Sequence, residues 1–398
     1  MNSLKKLRLK KNEDRRLRAG HVWIFSNEID MVNTPLKHFS PGEEVLIEAA
    51  DKSLLGVAYV NPNSLIAARL YSRRHHERLT PDFFTQRILS ALQLRERLYS
   101  KPYYRLIFGE SDALPGLIVD RFNHILSMQI NTAGMERHTE NIIIALTSAL
   151  PEVKSILLRN DSPMRLQEGL DNHVIAGVGD PPEKIMIEEN NTLFHAPLWQ
   201  GQKTGWFYDH RLNRTRLKEY VSHKRVLDVF SYLGAWGIQA AHYGANHVTC
   251  IDASPLATDL IKENAELNQI SKTVNVIQAD AFDALKQLAI NKELFDVIIL
   301  DPPAFVKKQK DKKEGLLAYQ RINEAALKLL SPYGILISCS CSMHVEYNDL
   351  VQVIRRANLR QPFDLQILER GHQSPDHPVH LAIPETDYLK MIIVRKMG

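Results

Sequence analysis

The chain has 398 residues, a formal net charge of +4 and 44% hydrophobic residues, the profile of a globular protein with room for two or three domains and an ample core. No apolar run approaches the roughly 18 residues of a membrane span, and the N-terminal MNSLKKLRLKK lacks an apolar signal core, so a cytoplasmic location without membrane contact is expected. Three cysteines, Cys250, Cys339 and Cys341, are too few for a disulfide framework and lack zinc-ligand spacing, which points to a reducing compartment and to no metal centre.

Residues 1–73 read as a small β domain. Val22 to Ile24, Glu44 to Glu48, Leu54 to Val60 and Ile66 to Leu70 are short β-rich runs, separated by turn signals such as Pro41-Gly42 and Asn61-Pro62-Asn63. Basic residues crowd the start: Lys5, Lys6, Arg8, Lys10, Lys11, Arg15, Arg16 and Arg18 stand against Glu13 and Asp14. A second cluster comprises Lys307, Lys308, Lys310, Lys312 and Lys313. Such runs attract phosphate backbones by releasing counterions, although most are solvated faces. Trp23 and Phe25 lie among the first cations, a mixture that suits RNA, with a core role the simpler expectation for both rings.

From 74 to 190 the pattern becomes mixed α+β. Asp82 to Leu98 has helical periodicity, as does the region from His138 to Leu150, and Leu117 to Arg121, Ile125 to Ile130 and Ser155 to Arg159 read as strands. Glu110, Asp112 and Asp120 have no catalytic spacing, and turn-forming or solvated roles are the expectation.

Residues 191–398 carry the chemistry. The stretch RVLDVFSYLGAWGIQAAHYGANHVTCID, from Arg225 to Asp252, is a buried strand through Asp228, a glycine turn at Gly234 and Gly237, a helix from Trp236 to Tyr243, and a second strand tipped by Asp252. Alternation continues with a helix from Pro255 to Asn268, a strand from Val274 to Gln278 before Asp280, and a strand from Phe295 to Leu300 before Asp301. This is an α/β, doubly wound pattern, in which ligands bind outside the carboxyl ends of the strands. Four successive tips carry an acid. The turn lacks the G-x-G-x-x-G fingerprint of a dinucleotide fold, and an anionic Asp228 would repel a pyrophosphate but attract the cationic amino-acid part of S-adenosylmethionine. Asp252 is then expected on the ribose hydroxyls, and the loop QKTGWFYDHRLNR, Gln202 to Arg214, closes over a charged ligand.

The next strand, Gly334 to Ser340, ends in SCS. Cys339 and Cys341 lie two apart and about 7 Å from each other on one strand face, and Cys341 falls where strand gives way to loop, next to Asp301. A thiolate is of use when carbon 5 of cytosine is methylated: addition to carbon 6 breaks the aromaticity and makes carbon 5 nucleophilic. Asp301 near N3 of the base can drain the developing charge.

At these residues the chain resembles the ribosomal RNA large-subunit methyltransferase I family, which makes 5-methylcytosine in 23S ribosomal RNA. The likeness rests on GESDALPGLIVDRF (Gly109 to Phe122), KTGWFYDHRLNR (Lys203 to Arg214), DVFSYLGAWG (Asp228 to Gly237), DPPAF (Asp301 to Phe305), SCS (Ser340 to Ser342) and DHPV (Asp376 to Val379). It implies a PUA-like RNA-binding domain (1–73), a central EEHEAD-like domain (74–190) and a Rossmann-like methyltransferase domain (191–398). It also implies Cys341 as nucleophile, donor contacts from Tyr208, Asp209, Arg211, Asp228, Phe230, Ser231 and Gly234, Asp252 on the ribose, Asp280 near the adenine, and Asp301 between donor and base. Ala304 stands where related cytosine methyltransferases carry a second cysteine, so another base must take the carbon 5 proton. The expected partner is 23S ribosomal RNA or a large-subunit assembly intermediate, with a homodimer allowed. A guanine methyltransferase, which needs no covalent nucleophile, and a catalytically idle RNA-binding assembly factor are the alternatives.

Overall fold

The structure is a computed structural model that describes residues 4–201 and 204–397. The chain divides into two compact units. Met1–Ile185, Pro197–Trp206 and Pro375–Thr386 form the first, and Met186–Ala196, Phe207–Ser374 and Asp387–Gly398 the second. Among the described residues no helix is long and apolar enough to cross a membrane.

The first unit begins with a five-stranded sheet of β1 (Lys5–Arg8), β2 (Trp23–Phe25), β3 (Glu43–Glu48), β4 (Leu54–Val60) and β5 (Ile66–Ser72), in the order β1-β3-β4-β5-β2. The basic N-terminus is itself a strand. In KKLRL, Leu7 and Leu9 are buried while Lys6 and Arg8 face outward and both bond the Glu48 carboxylate, so the segment carries period-two alternation beneath its charge. Lys5 pairs with Glu43, Arg16 with Glu28 and Arg18 with Asp14. Trp23 is half-buried rather than a core ring, and its indole N–H donates to Glu110 at 2.8 Å. Phe25, also half-buried, lies under the Arg16 guanidinium at 4.9 Å.

The second sheet of this unit holds β6 (Tyr103–Phe108), β7 (Leu117–Phe122), β8 (Ile125–Ile130), β9 (Ser155–Asn160) and β10 (His173–Val178), in the order β10-β9-β8-β7-β6. Helices α1 (Pro81–Leu98) and α2 (Thr139–Ala149) bury Phe84, Ile88, Leu92, Ile142 and Leu146 in one core with Leu106, Val119, Leu126 and Ile156. Two of the three acids expected in turn-forming or solvated roles, Asp112 and Asp120, are instead held in ion pairs. Arg95 grips Asp112 with two bonds of 2.6 and 2.7 Å, and Arg105 grips Asp120 with two of 2.6 and 2.9 Å. Asp376 joins them, its carbonyl accepting from Arg95 and its carboxylate from the Arg105 amide. The Thr204 hydroxyl donates to Asp120. Residues of the GESD, VDR and DHPV segments, with Thr204, therefore meet in one polar network.

Strands β11 (Lys184–Glu189) and β12 (Thr192–Pro197) form a two-stranded ladder. The second unit's sheet comprises β13 (Arg225–Val229), β14 (His247–Asp252), β15 (Val274–Gln278), β16 (Phe295–Leu300), β17 (Leu330–Ser340), β18 (Leu365–Gly371) and β19 (Lys390–Lys396), in the order β15-β14-β13-β16-β17-β19-β18. The first five strands run parallel, and β19 inserts antiparallel between β17 and β18. Helices α3 (Ala235–His242), α4 (Pro255–Leu267), α5 (Ala281–Ile290), α6 (Lys312–Leu327) and α7 (Tyr347–Asn358) cover it. Side chains alternate along β13: Leu227 and Val229 enter the core made with α5, α6 and α7, while Asp228 faces α3. Order reverses between β14 and β16, on either side of β13, which creates a switch point at the carboxyl edge.

Asp120→Ala would leave Arg105, only 8% exposed, without its buried counter-charge. Urea unfolding should show a loss of about 3–5 kcal/mol, as expected when one partner of a buried ion pair is removed.

Candidate active site

The four acids sit at the carboxyl edge in adjacent parallel strands. Asp228 lies within β13 and pairs in register with Cys250 of β14 and Ile299 of β16. Asp252 closes β14, Asp280 follows β15 as the N-cap of α5, and Asp301 follows β16. Their environments differ. Asp280 is exposed, and one of its carboxylate oxygens accepts the Phe282 and Asp283 amides. Asp252 is half-buried, and each of its oxygens accepts one amide, from Tyr232 and Ser254. Asp228 is fully buried; Oδ2 accepts the Gly237 amide at 2.9 Å, whereas Oδ1 has no hydrogen-bond partner among the described residues.

Burial pushes the Asp228 carboxyl up from 3.8 to about 7, against the Gly237 hydrogen bond and with help from the nearby Asp301 charge. The sequence argument treated Asp228 as a fixed anion, which holds only above that range. The turn after it is sharply bent: Phe230 and Tyr232 have φ of 65° and 50°, and Gly234 has 79°. Non-glycine residues rarely adopt this region, and such strain gathers at functional sites. A Cβ on Gly234 would press on Ile238 and Ile261, and one on Gly237 would come 2.4 Å from the Cys250 sulfur, so close packing of α3 is what both glycines serve. Ser231 spends its hydroxyl inside the fold, donating to the Asp228 carbonyl and accepting the Ile251 amide.

Asp301 is held by two residues that sequence reasoning missed. The His210 Nε2 lies 3.2 Å from one carboxylate oxygen, and the Trp236 indole N–H donates to the other at 3.0 Å. Burial opposes ionisation, but these partners outweigh it and keep the carboxyl below its ordinary value. His210 offered a signal in its place within FYDHR; Trp236 was read only as a helix residue. The thiol beside Asp301 is Cys339, since Leu300 registers with Ser338 and the Cys339 sulfur clusters with His210 and Asp301. The Cys341 sulfur meets the same strand tip one residue on, at the Pro302 carbonyl.

Cys339 is fully buried, and burial pushes its thiol far up, as it does for Cys250. Cys341 is the one partly exposed thiol of the three, just past the end of β17, with its sulfur 3.9 Å from the Pro302 carbonyl. Serines clamp it on both sides. The Ser342 hydroxyl accepts the Val306 amide at 3.2 Å and bonds the Tyr319 hydroxyl at 2.9 Å; Ser340 donates to that same Tyr319 oxygen at 3.0 Å. Behind them Lys390, 4% exposed, donates to the Ser342 and Tyr388 carbonyls at 2.8 Å each. Burial pulls its ammonium down, while Asp387 and Cys341 pull it up. Nothing in the sequence marked Lys390 or Tyr319, which come from distant elements.

Of the loop expected to close over a ligand, Gln202 and Lys203 lie outside the described residues. Tyr208, Asp209 and Arg211 are all buried. Asp209 accepts from the Tyr388 hydroxyl at 2.6 Å, and the Arg211 guanidinium lies 4.9 Å over the Tyr208 ring and 3.7 Å from Glu189.

The strand order and the acid-lined carboxyl edge define a Rossmann-like methyltransferase fold. A solved structure assigned as a SAM-dependent methyltransferase from Streptococcus mutans superposes with a TM-score of 0.83 at 22% identity, over 98% of this chain and 100% of that one. A second, a methyltransferase complexed with SAH, reaches 0.85 at 21% identity with the same coverage. Residues 7–73 match the PUA-like domain family, and residues 215–333 a family described as conserved hypothetical protein 95. The chain is 38% identical over 394 residues to the ribosomal RNA large subunit methyltransferase I of Aeromonas salmonicida, covering 97% of this chain and 98% of that protein. To the protein of that name in Aliivibrio fischeri it is 36% identical over 387 residues, 96% of this chain and 97% of the relative. The chain belongs to the ribosomal RNA large subunit methyltransferase I family.

Asp228 reverses the usual carboxylate linkage. Its folded pKa lies above the unfolded one, so the folded protein holds the proton more tightly and this group's contribution to stability falls as pH rises from about 4 to about 7. Asp228→Asn should remove that fall. Urea unfolding across the window, without methyl donor, should show the variant gaining on the parent by up to about 4 kcal/mol and then running level.

Proposed function

We propose that the protein transfers a methyl group from S-adenosylmethionine to carbon 5 of a cytosine in 23S ribosomal RNA, with Cys341 adding covalently to carbon 6. The observation that carries this reading is the partial exposure of Cys341, clamped at the end of β17, beside two cysteines that are fully buried. Family membership supplies the substrate class, since the relatives are named as ribosomal RNA large subunit methyltransferases. The reading keeps domains at 1–73, 74–190 and 191–398, supported for the first by the match of residues 7–73 to PUA-like domains.

The residues fit the methyl donor. The buried, partnerless Oδ1 of Asp228 and the strained turn from Phe230 to Gly234 suit a ligand with a cationic end, whose arrival would draw the Asp228 carboxyl back toward ionisation. Tyr208, Asp209 and Arg211 belong to the same donor set, with Asp252 taking the ribose hydroxyls, and Asp280 serving the adenine end through the carboxylate oxygen not bonded to α5. When bound, the donor supplies an electrophilic methyl on a sulfonium.

Cys341 attacks carbon 6 as a thiolate, and the Lys390 ammonium, bonded to the carbonyl of the very next residue, favours that charge. Electron density moved into the ring reaches N3, which takes a proton from Asp301, oriented by His210 and Trp236 and protonated as the base binds, and returns it when the thiolate leaves. Carbon 5 then takes the methyl, its proton leaves to a base, and the thiolate is expelled as the ring regains aromaticity.

Cys341→Ala should lower turnover on 23S ribosomal RNA by at least about a thousandfold, with donor affinity by calorimetry unchanged within a few-fold, while Cys339→Ala keeps most activity. RNA carrying 5-fluorocytosine, which has no carbon 5 proton to lose, should form a denaturation-resistant adduct with the parent and none with Cys341→Ala. Because the other thiols are buried, alkylation by iodoacetamide reports on Cys341. Lys390→Met should shift its pH profile upward by about one unit, and Lys390→Arg should restore it.

A further inference from the structure

Both basic clusters appear equivalent as sequence, but the fold treats them differently. In the first, Lys5, Lys6, Arg8, Arg16 and Arg18 are engaged by acids of their own sheet region, which leaves Lys10, Lys11 and Arg15 outside any ion pair among the described residues. In the second, only Lys312 is paired, with Asp349 at 2.6 Å. Lys307, Lys308, Lys310 and Lys313 are exposed and make no ion pair among the described residues, although Asp311 and Glu314 stand within the same run. An uncompensated cluster of four cations is available for an outside polyanion.

Its position is as informative as its charge. Val306 is buried, and its amide is bonded to Ser342, the residue after Cys341. Lys307 follows directly. At the far end the chain is pinned by Gly315 of α6, where a Cβ would lie 2.3 Å from the Val306 side chain and 2.8 Å from the Phe305 carbonyl. The lysines thus sit on a short segment fastened at its start to the strand end that bears the nucleophile, and at its finish to α6.

We propose that Lys307, Lys308, Lys310 and Lys313 form a phosphate-docking surface that seats the backbone of the substrate RNA strand beside Cys341. This rests on the RNA methyltransferase reading above and adds to it the element that holds the strand. Phosphates contacted here release condensed counterions, so the surface contributes to affinity and to its salt dependence without selecting sequence.

The test compares three donor-bound proteins binding a 23S ribosomal RNA transcript over a range of KCl concentrations. These are the parent, a variant with Lys307, Lys308, Lys310 and Lys313 all changed to Gln, and a control with Lys224, Lys272, Lys286 and Lys292 changed to Gln. The control residues are equally exposed and lie away from the carboxyl edge: three precede strands at the amino end of the sheet, and Lys286 lies within α5. The docking variant should lose about 0.7 from the slope of log affinity against log salt for each phosphate contact removed, about 2–3 in all. Donor affinity should stay the same, as should turnover at saturating RNA and low salt. Restoring charge with Arg at the four positions should restore the slope. A docking variant with the parent's slope, or a control that loses as much, overturns the proposal. A parent that binds the transcript but methylates no RNA would instead overturn the enzymatic reading, and the slope comparison would still decide the docking surface.

Discussion

The Ser342 hydroxyl is the point on which the site depends. It accepts the Val306 amide and shares a hydrogen bond with Tyr319, and so ties the loop after β16, the helix α6 and the end of β17 to one atom. The Ser342 carbonyl receives Lys390 from the antiparallel strand β19. Cys341 has no freedom to choose its position, because the residues before and after it are both fixed through Tyr319. Buried hydrogen bonds of this kind are costly to break, since each lost partner strands a polar group in a low-dielectric interior. Preorganisation follows: the sulfur is held at the strand end before any substrate arrives.

Around that fixed point the carboxylates are held in opposite states. Asp301 has a ring nitrogen and an indole N–H on its two oxygens and stays ionised. Asp228, one strand over, has a single amide on one oxygen, and burial keeps its proton until about pH 7. A pair of acids pushed apart in this way is a common mark of sites that handle both a cation and a developing anion. The difference comes from neighbours. A carboxylate with an indole donor and a histidine ring beside it keeps its charge, and a fully buried one with a single amide does not.

Much of this was legible in the chain. The alternation of apolar runs with Asp228, Asp252, Asp280 and Asp301 exposed the parallel sheet and its edge, because a period-two or continuous apolar pattern is a local property. The strand Lys5–Arg8 was hidden by its charge: Lys6 and Arg8 look like a solvated run until Glu48 is known to lie across from them. The roles of Asp112, Asp120 and Asp376 were hidden too, since each depends on an arginine of another element, 17, 15 and 271 residues away. Similarly, SCS drew attention to Cys341, but only the register of β16 on β17 shows that Cys339 is the thiol that meets Asp301. Pairings across the sheet are set by tertiary structure, and spacing along one strand does not report them.

The first compact unit is assembled from three separate stretches of chain, the last being Pro375–Thr386. Within that stretch Asp376 supplies an acceptor to Arg95 and another to the Arg105 amide. During synthesis these groups, made early, must wait through most of the later chain for their final partner. The polar network of the first unit therefore cannot close until a segment 271 residues beyond Arg105 has been made.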